Sequence, residues 1–160
     1  MSEEDRLMSE LREREAQYRS IFESTSDALL IFDQEGRIVE ANPAACRLYG
    51  YSREELIGLS GKRIVHPDYR HLFQEYLQEV KAGKRFEVQS VDLRKDGSMI
   101  HVEVHAASFS YKGKPHLLAA VRDVTERVRA RELLEQRTRE LSALLEVVWP
   151  IFYSWISKIK

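Results

Sequence analysis

Cysteine is nearly absent from this chain. The single thiol, Cys46, excludes an intramolecular disulfide and any cysteine-based zinc site. One thiol fits a reducing compartment, so a cytoplasmic protein is expected. Long apolar runs are missing as well. No stretch of about 20 apolar residues occurs, which excludes an ordinary transmembrane span. The N-terminus is acidic and has no apolar h-region, so it does not read as a secretory signal. An excess of one charge is also missing. With 25 Lys+Arg against 26 Asp+Glu the formal net charge is -1, which argues against a general nucleic-acid binder. No nucleophile–base pair, phosphate-binding glycine loop or pair of catalytic carboxylates stands out. No catalytic residue is assigned, and the expected role is non-enzymatic.

What is present is enough for one domain plus appendages. The chain has 160 residues, 43% hydrophobic and 32% charged. The most structured stretch runs from Asn42 to Gly58 and reads NPAACRLYGYSREELIG. Asn42 is a good helix N-cap, and Pro43 suits the first helical position. Ala44, Ala45 and Leu48 give that helix an apolar side before Gly50 stops it. Ser52 and Glu55 make a capping box for a second short helix, which ends at Gly58. Two helices this short must lie on something larger.

The flanking segments supply it. Ala28 to Phe32 is apolar at every position, as a short strand covered on both faces would be. Asp33 to Gly36 turns it into a second strand, Arg37 to Glu40. A third strand spans Phe86 to Leu93 and a fourth Met99 to Phe109. In the fourth, Ile100, Val102, Val104 and Ala106 share one face, and His101, Glu103 and His105 the other. A fifth, His116 to Val121, is again apolar through its middle. Between the short helices and the third strand, a longer helix reaches about Lys81. Tyr69, Leu72, Phe73, Tyr76, Leu77 and Val80 fall on one side of it.

Helices flank this core. From Glu3 to Phe22, Leu7, Arg14 and Ile21 share one heptad position, and Leu11 and Tyr18 the other. The seam spans about two heptads and is interrupted by Arg14. An amphipathic helix lying on its own domain and a short coiled coil with a second copy both fit. After Asp123 a helix runs to about Val148, with Leu134, Leu141 and Val148 repeating every seven residues. Pro150 is expected to break or kink it. The aromatic tail that follows could fold back on the sheet, lengthen a dimer interface, or lie in a membrane interface through Trp149 and Trp155. The domain organisation is therefore 1–23 N-terminal amphipathic helix, 24–123 core, 124–148 C-terminal helix and 149–160 tail.

The Asn42–Gly58 stretch resembles the PAS family of sensory modules. Asn42, Ala44, Gly50, Tyr51, Glu54, Glu55, Leu56 and Gly58 match the family's N-x-A-x(5)-G-Y-x-x-E-E-L-x-G. The segment Asp123-Val124-Thr125-Glu126-Arg127 matches a second signature. The resemblance implies an α+β fold: a five-stranded antiparallel sheet in the order 2-1-5-4-3, with short helices on one face. Its two central strands are then the two all-apolar ones. It also implies a pocket walled by Tyr69, Leu72, Phe73, Tyr76 and Leu77, with Asn42, Gly50, Glu55 and Gly58 as structural motif residues. Coupling of sheet to helix falls on Asp123, Thr125 and Arg127. The implied function is a signalling module that dimerises and relays a state through its C-terminal helix to an effector or kinase domain or a partner protein. The alternative is a sensor that holds a small ligand, flavin or haem.

Some members hold haem through a histidine on the long helix, where His71 stands here. At about 100° per residue, the apolar stripe lies nearly opposite His71, so Leu72 or Phe73 takes the inner position. Flavin photochemistry uses a cysteine in G-x-N-C-R-F-L-Q, a motif this chain lacks. No cofactor is therefore assigned. His101 and His105 lie about 13 Å apart along a strand, too far to share one metal ion. No histidine follows His116, so this chain has no phosphoacceptor helix of the kinase type.

Overall fold

Alternation along the strands builds a five-stranded antiparallel sheet. The structure, a computed structural model, describes residues 1–159. The strands are β1 (Ala28–Phe32), β2 (Ile38–Ala41), β3 (Phe86–Leu93), β4 (Met99–Tyr111) and β5 (Lys114–Asp123). Their order is β2-β1-β5-β4-β3. The two all-apolar segments, β1 and β5, are neighbours at the centre, with Leu30 opposite Ala119 and Ala28 opposite Val121. β4 and β5 extend beyond their expected ends because their hairpin closes tightly, pairing Tyr111 with Lys114. Lys112 and Gly113 both take positive φ in that two-residue turn, which matches the twist of the flanking strands.

One sheet face carries Leu30, Phe32, Ile100, Val102, Ala106, Leu117, Ala119 and Val121, all buried. Over it lie α2 (Pro43–Tyr49), α3 (Arg53–Leu56), two single 3₁₀ turns (Gly61–Arg63 and Pro67–Tyr69) and α4 (Arg70–Lys81). The caps are those expected. Asn42 Oδ1 accepts from Ala45 N, and Gly50 closes α2 at φ 75, a left-handed position that glycine takes without steric cost. Ser52 and Glu55 cap α3 reciprocally, and Glu55 also pairs with Lys95. The Gly58 amide donates to Ile38 O at 2.7 Å, tying the end of α3 back to β2.

Asn42 does more than cap. It is fully buried. Its Oδ1 also accepts from Leu29 N at 2.9 Å. Its Nδ2 donates to Phe22 O and Asp27 O, both at 3.0 Å. One side chain therefore joins the end of α1 (Glu3–Ser24), strand β1 and helix α2. Only an amide offers both signs of hydrogen bond in that shape.

The chain forms two compact units, Met1–Val124 and the stretch from Thr125 on. In the first unit, α1 reaches the sheet only at its C-terminal end. Phe22 is buried, and Tyr18 stacks on Phe109 of β4 with ring centroids 6.1 Å apart. Leu7, Met8 and Leu11 stay exposed. The second unit is helix α5 (Thr125–Ser157). Of the break or kink expected at Pro150, no break occurs, since α5 is helical through it. A proline removes one hydrogen bond and crowds one carbonyl, and the other rungs on both sides keep the helix. The expected 149–160 tail is thus mostly the last turns of α5, with Lys160 outside the described residues. Among the described residues no helix is long and apolar enough to cross a membrane.

Candidate functional site

Helix α4 places its apolar stripe over the sheet. Phe73, Tyr76, Leu77 and Val80 are buried, and His71 faces solvent. Beneath the helix is a cavity of about 50 Å³, walled by α4, the two 3₁₀ turns and strands β1, β3, β4 and β5. Tyr69, Leu72, Phe73 and Tyr76 line it. Leu77 does not. It packs instead toward the β1–β2 turn, where its Cδ1 would lie 3.2 Å from a Cβ on Gly36.

Aromatic rings form much of the wall. Phe32 meets Phe73 and Tyr76 edge-on, with centroids 5.8 and 6.0 Å apart. Tyr76 also lies 5.7 Å from Phe86. Gly61 lets the first 3₁₀ turn come close. A Cβ there would fall 2.3 Å from Phe73 Cζ, so any side chain would push the α4 ring out of place.

Two polar groups in this apolar wall stand out. The Tyr76 hydroxyl is buried and has no hydrogen-bond partner among the described residues. Burial pushes its phenol well above the usual value. The second group is Asp92, on β3 and 3% exposed. It accepts one hydrogen bond, from the Tyr49 hydroxyl at 2.6 Å. Burial pushes its carboxyl up to about 7, against the pull of that bond. Tyr49 is also fully buried, and its phenol is raised by desolvation and by the nearby Asp92 charge. No lysine, arginine or histidine lines the cavity. Among the described residues no cation pairs with Asp92.

Sequence reasoning missed Tyr49, Asp92 and Gly61. Asp92 shares the inward face of Phe86, Val88 and Ser90 on β3, but a carboxylate in that row does not read as a lining residue. A strap, Ile64–His66, runs antiparallel beside that end of β3 with Val65 opposite Asp92; Leu93 N donates to Ile64 O at 2.7 Å and His66 N to Val91 O at 3.0 Å. Tyr49 falls at an unspecified position of the Asn42–Gly58 motif. Its one available signal was a large aromatic on the apolar side of a very short helix.

The proposed coupling residues divide between the units. Asp123 ends β5 in the first, and Arg94 approaches it at 3.6 Å. Arg94 Nε also donates to Leu48 O at the end of α2, at 3.0 Å. Thr125 and Arg127 open the second unit. Elsewhere, Cys46 is half-buried in α2 outside the cavity, its thiol raised by burial. His105 is flanked by Glu87 at 3.3 Å and Glu103 at 3.2 Å, and the hydrogen bond to Glu103 raises its pKa most. No group of three His, Cys, Asp or Glu residues that could hold a metal occurs among the described residues.

The sheet order, the capped helices over one face and the cavity beneath α4 coincide with a family match. The family model for the PAS fold covers residues 16–124. The chain belongs to the PAS family. It is 32% identical over 140 residues to a methyl sulfide methyltransferase-associated sensor of Methanosarcina acetivorans, covering 86% of this chain and 14% of that protein. It is 30% identical over 131 residues to the sensor histidine kinase TmoS of Ectopseudomonas mendocina, covering 79% and 14%. The chain thus spans about a seventh of the length of these relatives. Among solved structures it resembles the PAS domain of an HTR-like protein from Haloarcula marismortui at 28% identity. The TM-score is 0.65, over 74% of this chain and 98% of that one. Those two relatives are a sensor and a sensor histidine kinase.

Neither cofactor considered for the family fits this PAS cavity as it stands. Its volume is several-fold below the roughly 300–1,000 Å³ of a typical ligand pocket. The lining holds no histidine for a haem iron, and His71 points to water. It holds no cysteine for a flavin adduct.

Proposed function

We propose that this domain is a non-enzymatic PAS-type sensory and protein-interaction module. It acts in the cytoplasm as a homodimer and relays its state through α5 to an effector or kinase domain or a partner protein. The observation that carries this reading is the surface of α5. Leu134, Leu141 and Val148 are all more than half exposed, as are Leu144, Leu145, Trp149 and Trp155. A single helix bearing so continuous an apolar stripe needs a partner to bury it. The seven-residue repeat of the first three suits a second, parallel copy. The names of the relatives, a sensor and a sensor kinase, support the signalling role.

Light scattering on the full chain tests the assembly. The protein should run as a dimer, and Leu134→Glu with Leu141→Glu should make it a monomer of unchanged fold. A monomeric parent chain would sink the reading. The relay is tested at the junction of strand and helix. Asp123→Ala and Arg127→Ala should each speed hydrogen exchange from Val124 to Leu134, and the double variant should add little. Additive effects would mean that Asp123 serves only as a cap, worth about 0.5–2 kcal/mol.

A second reading, that the module senses a small ligand, is favoured by the cavity under α4 and its partnerless Tyr76 hydroxyl.

A further inference from the structure

We propose that residues 147–156 of α5 form a membrane-docking segment, which enters the headgroup boundary of an anionic lipid bilayer. The inference adds a lipid partner to the second copy proposed for the stripe of Leu134, Leu141 and Val148, and it rests on other faces of the helix.

Three observations select the bilayer. The first is where the apolar side chains stand. The helical period places Val147, Ile151 and Tyr153 about 90–130° round the helix from that stripe, so a second copy paired along it leaves them in water. All three are strongly exposed. Earlier turns carry charge on the same faces. Glu140 stands seven residues before Val147, Glu146 seven before Tyr153, and Arg137 fourteen before Ile151. A helix that is apolar well beyond one stripe needs a surround, not a single neighbour. The second observation is the kind of residue. Trp149, Tyr153 and Trp155 are exposed, and their rings join an apolar body to a polar edge, which suits the boundary between headgroups and acyl chains. The third is charge. Residues 147–160 include two lysines, Lys158 and Lys160, and no acid. A positive end beside an apolar stretch matches an anionic headgroup layer.

Other occupants meet less of this. A coiled-coil partner covers one seam. A protein groove takes one helix face at i, i+3, i+4 and i+7 spacing, and here the apolar residues extend beyond one such face. Length sets the depth. From Val147 to Ser157 no residue is charged, and a helical stretch of that length rises about 16 Å. That is about half of a hydrocarbon core of about 30 Å, so the segment enters one leaflet and does not cross.

The chain's two tryptophans, Trp149 and Trp155, both lie in this segment, so the intrinsic fluorescence of the full chain reports on it directly. The probes are vesicles of phosphatidylcholine alone and vesicles of equal parts phosphatidylcholine and phosphatidylglycerol. The mixed vesicles should shift the emission to the blue, and lipids brominated in the acyl chain should quench it. Binding to the mixed vesicles should exceed binding to the neutral ones about tenfold or more. Val147→Ser, Ile151→Ser and Tyr153→Ser lie off the dimer stripe. Combined, they should weaken vesicle binding about 30-fold or more, with mass by light scattering and helix content unchanged. Lys158→Gln should weaken binding to the mixed vesicles about fivefold and leave binding to the neutral ones as it was. Equal binding to both vesicles or unchanged binding of the triple variant would overturn the proposal. So would an emission that neither vesicle alters, which would mean that a protein surface covers the segment instead.

Discussion

Asn42 and Asp92 are both buried polar side chains of one small domain, and the fold treats them in opposite ways. Asn42 is wholly buried and makes four side-chain hydrogen bonds. Asp92 is nearly as buried and accepts a single bond from Tyr49. Each bond of Asn42 closes on a backbone group, so the residue works as a joint between three elements. Asp92 lines a cavity, as does the partnerless Tyr76. Stability alone would favour apolar residues at those two positions. Full satisfaction of a buried polar group marks architecture, and Asp92 and Tyr76 lack it.

The largest expected effect breaks the architectural half of that contrast. Asn42→Ala removes the partners of Leu29 N, Ala45 N, Phe22 O and Asp27 O at once. It should destabilise the domain by about 4–5 kcal/mol, a large part of a marginal stability. Asn42→Asp should do no better, because a carboxylate cannot donate to Phe22 O and Asp27 O. Urea unfolding checks both variants. A loss under about 1 kcal/mol for the alanine would show that Asn42 is only a cap.

The second effect has the opposite sign. The folded-state pKa of Asp92, about 7, lies above its ordinary 3.8. The folded protein therefore holds that proton more tightly than the unfolded chain does. The contribution is most favourable below pH about 4 and falls as pH rises toward about 7. Above that it stays unfavourable, by roughly 2–4 kcal/mol. Asp92→Asn should stabilise the domain by this amount at pH 8 and have little effect near pH 4. Denaturant midpoints of parent and variant across that window would show two converging curves. Parallel curves would mean that Asp92 stays charged in the folded protein.

The same contrast explains how much was legible beforehand. Asn42, Gly50, Glu55 and Gly58 act within a few residues of themselves, as caps and turns whose geometry follows from local sequence. The sheet order came from the family resemblance, and the two apolar strands agree with it by lying side by side at the centre. Asp92 and Tyr49 are 43 residues apart and meet only in the folded chain. Nothing near Asp92 announces the strap at Ile64–His66 that buries it. At Pro150 the helix does not break, for the converse reason. A local rule was applied where the long helix around it kept its other hydrogen bonds. Leu77 shares the apolar stripe of α4, but periodicity gives a face and not the particular neighbour on it.

The smallest expected effect sharpens the cavity half. Tyr76→Phe removes one oxygen from a ring held against Phe32, Phe73 and Phe86. All ring packing stays, so no cavity penalty of the large-to-small kind arises. The hydroxyl has no partner among the described residues, so its removal breaks no hydrogen bond. Its desolvation on folding is simply avoided. Stability should therefore stay level or rise by about 1 kcal/mol. Tyr49→Phe is the matched control. It removes the same atom from a ring that is equally buried, but there the oxygen donates to Asp92. Leaving that acid without its bond should lower stability by about 1.5–3 kcal/mol. The difference between the two variants isolates the partner, since ring, burial and deleted atom are alike. Urea midpoints at unchanged slope measure it. If Tyr76→Phe loses as much as Tyr49→Phe, the Tyr76 hydroxyl is already satisfied in the resting protein.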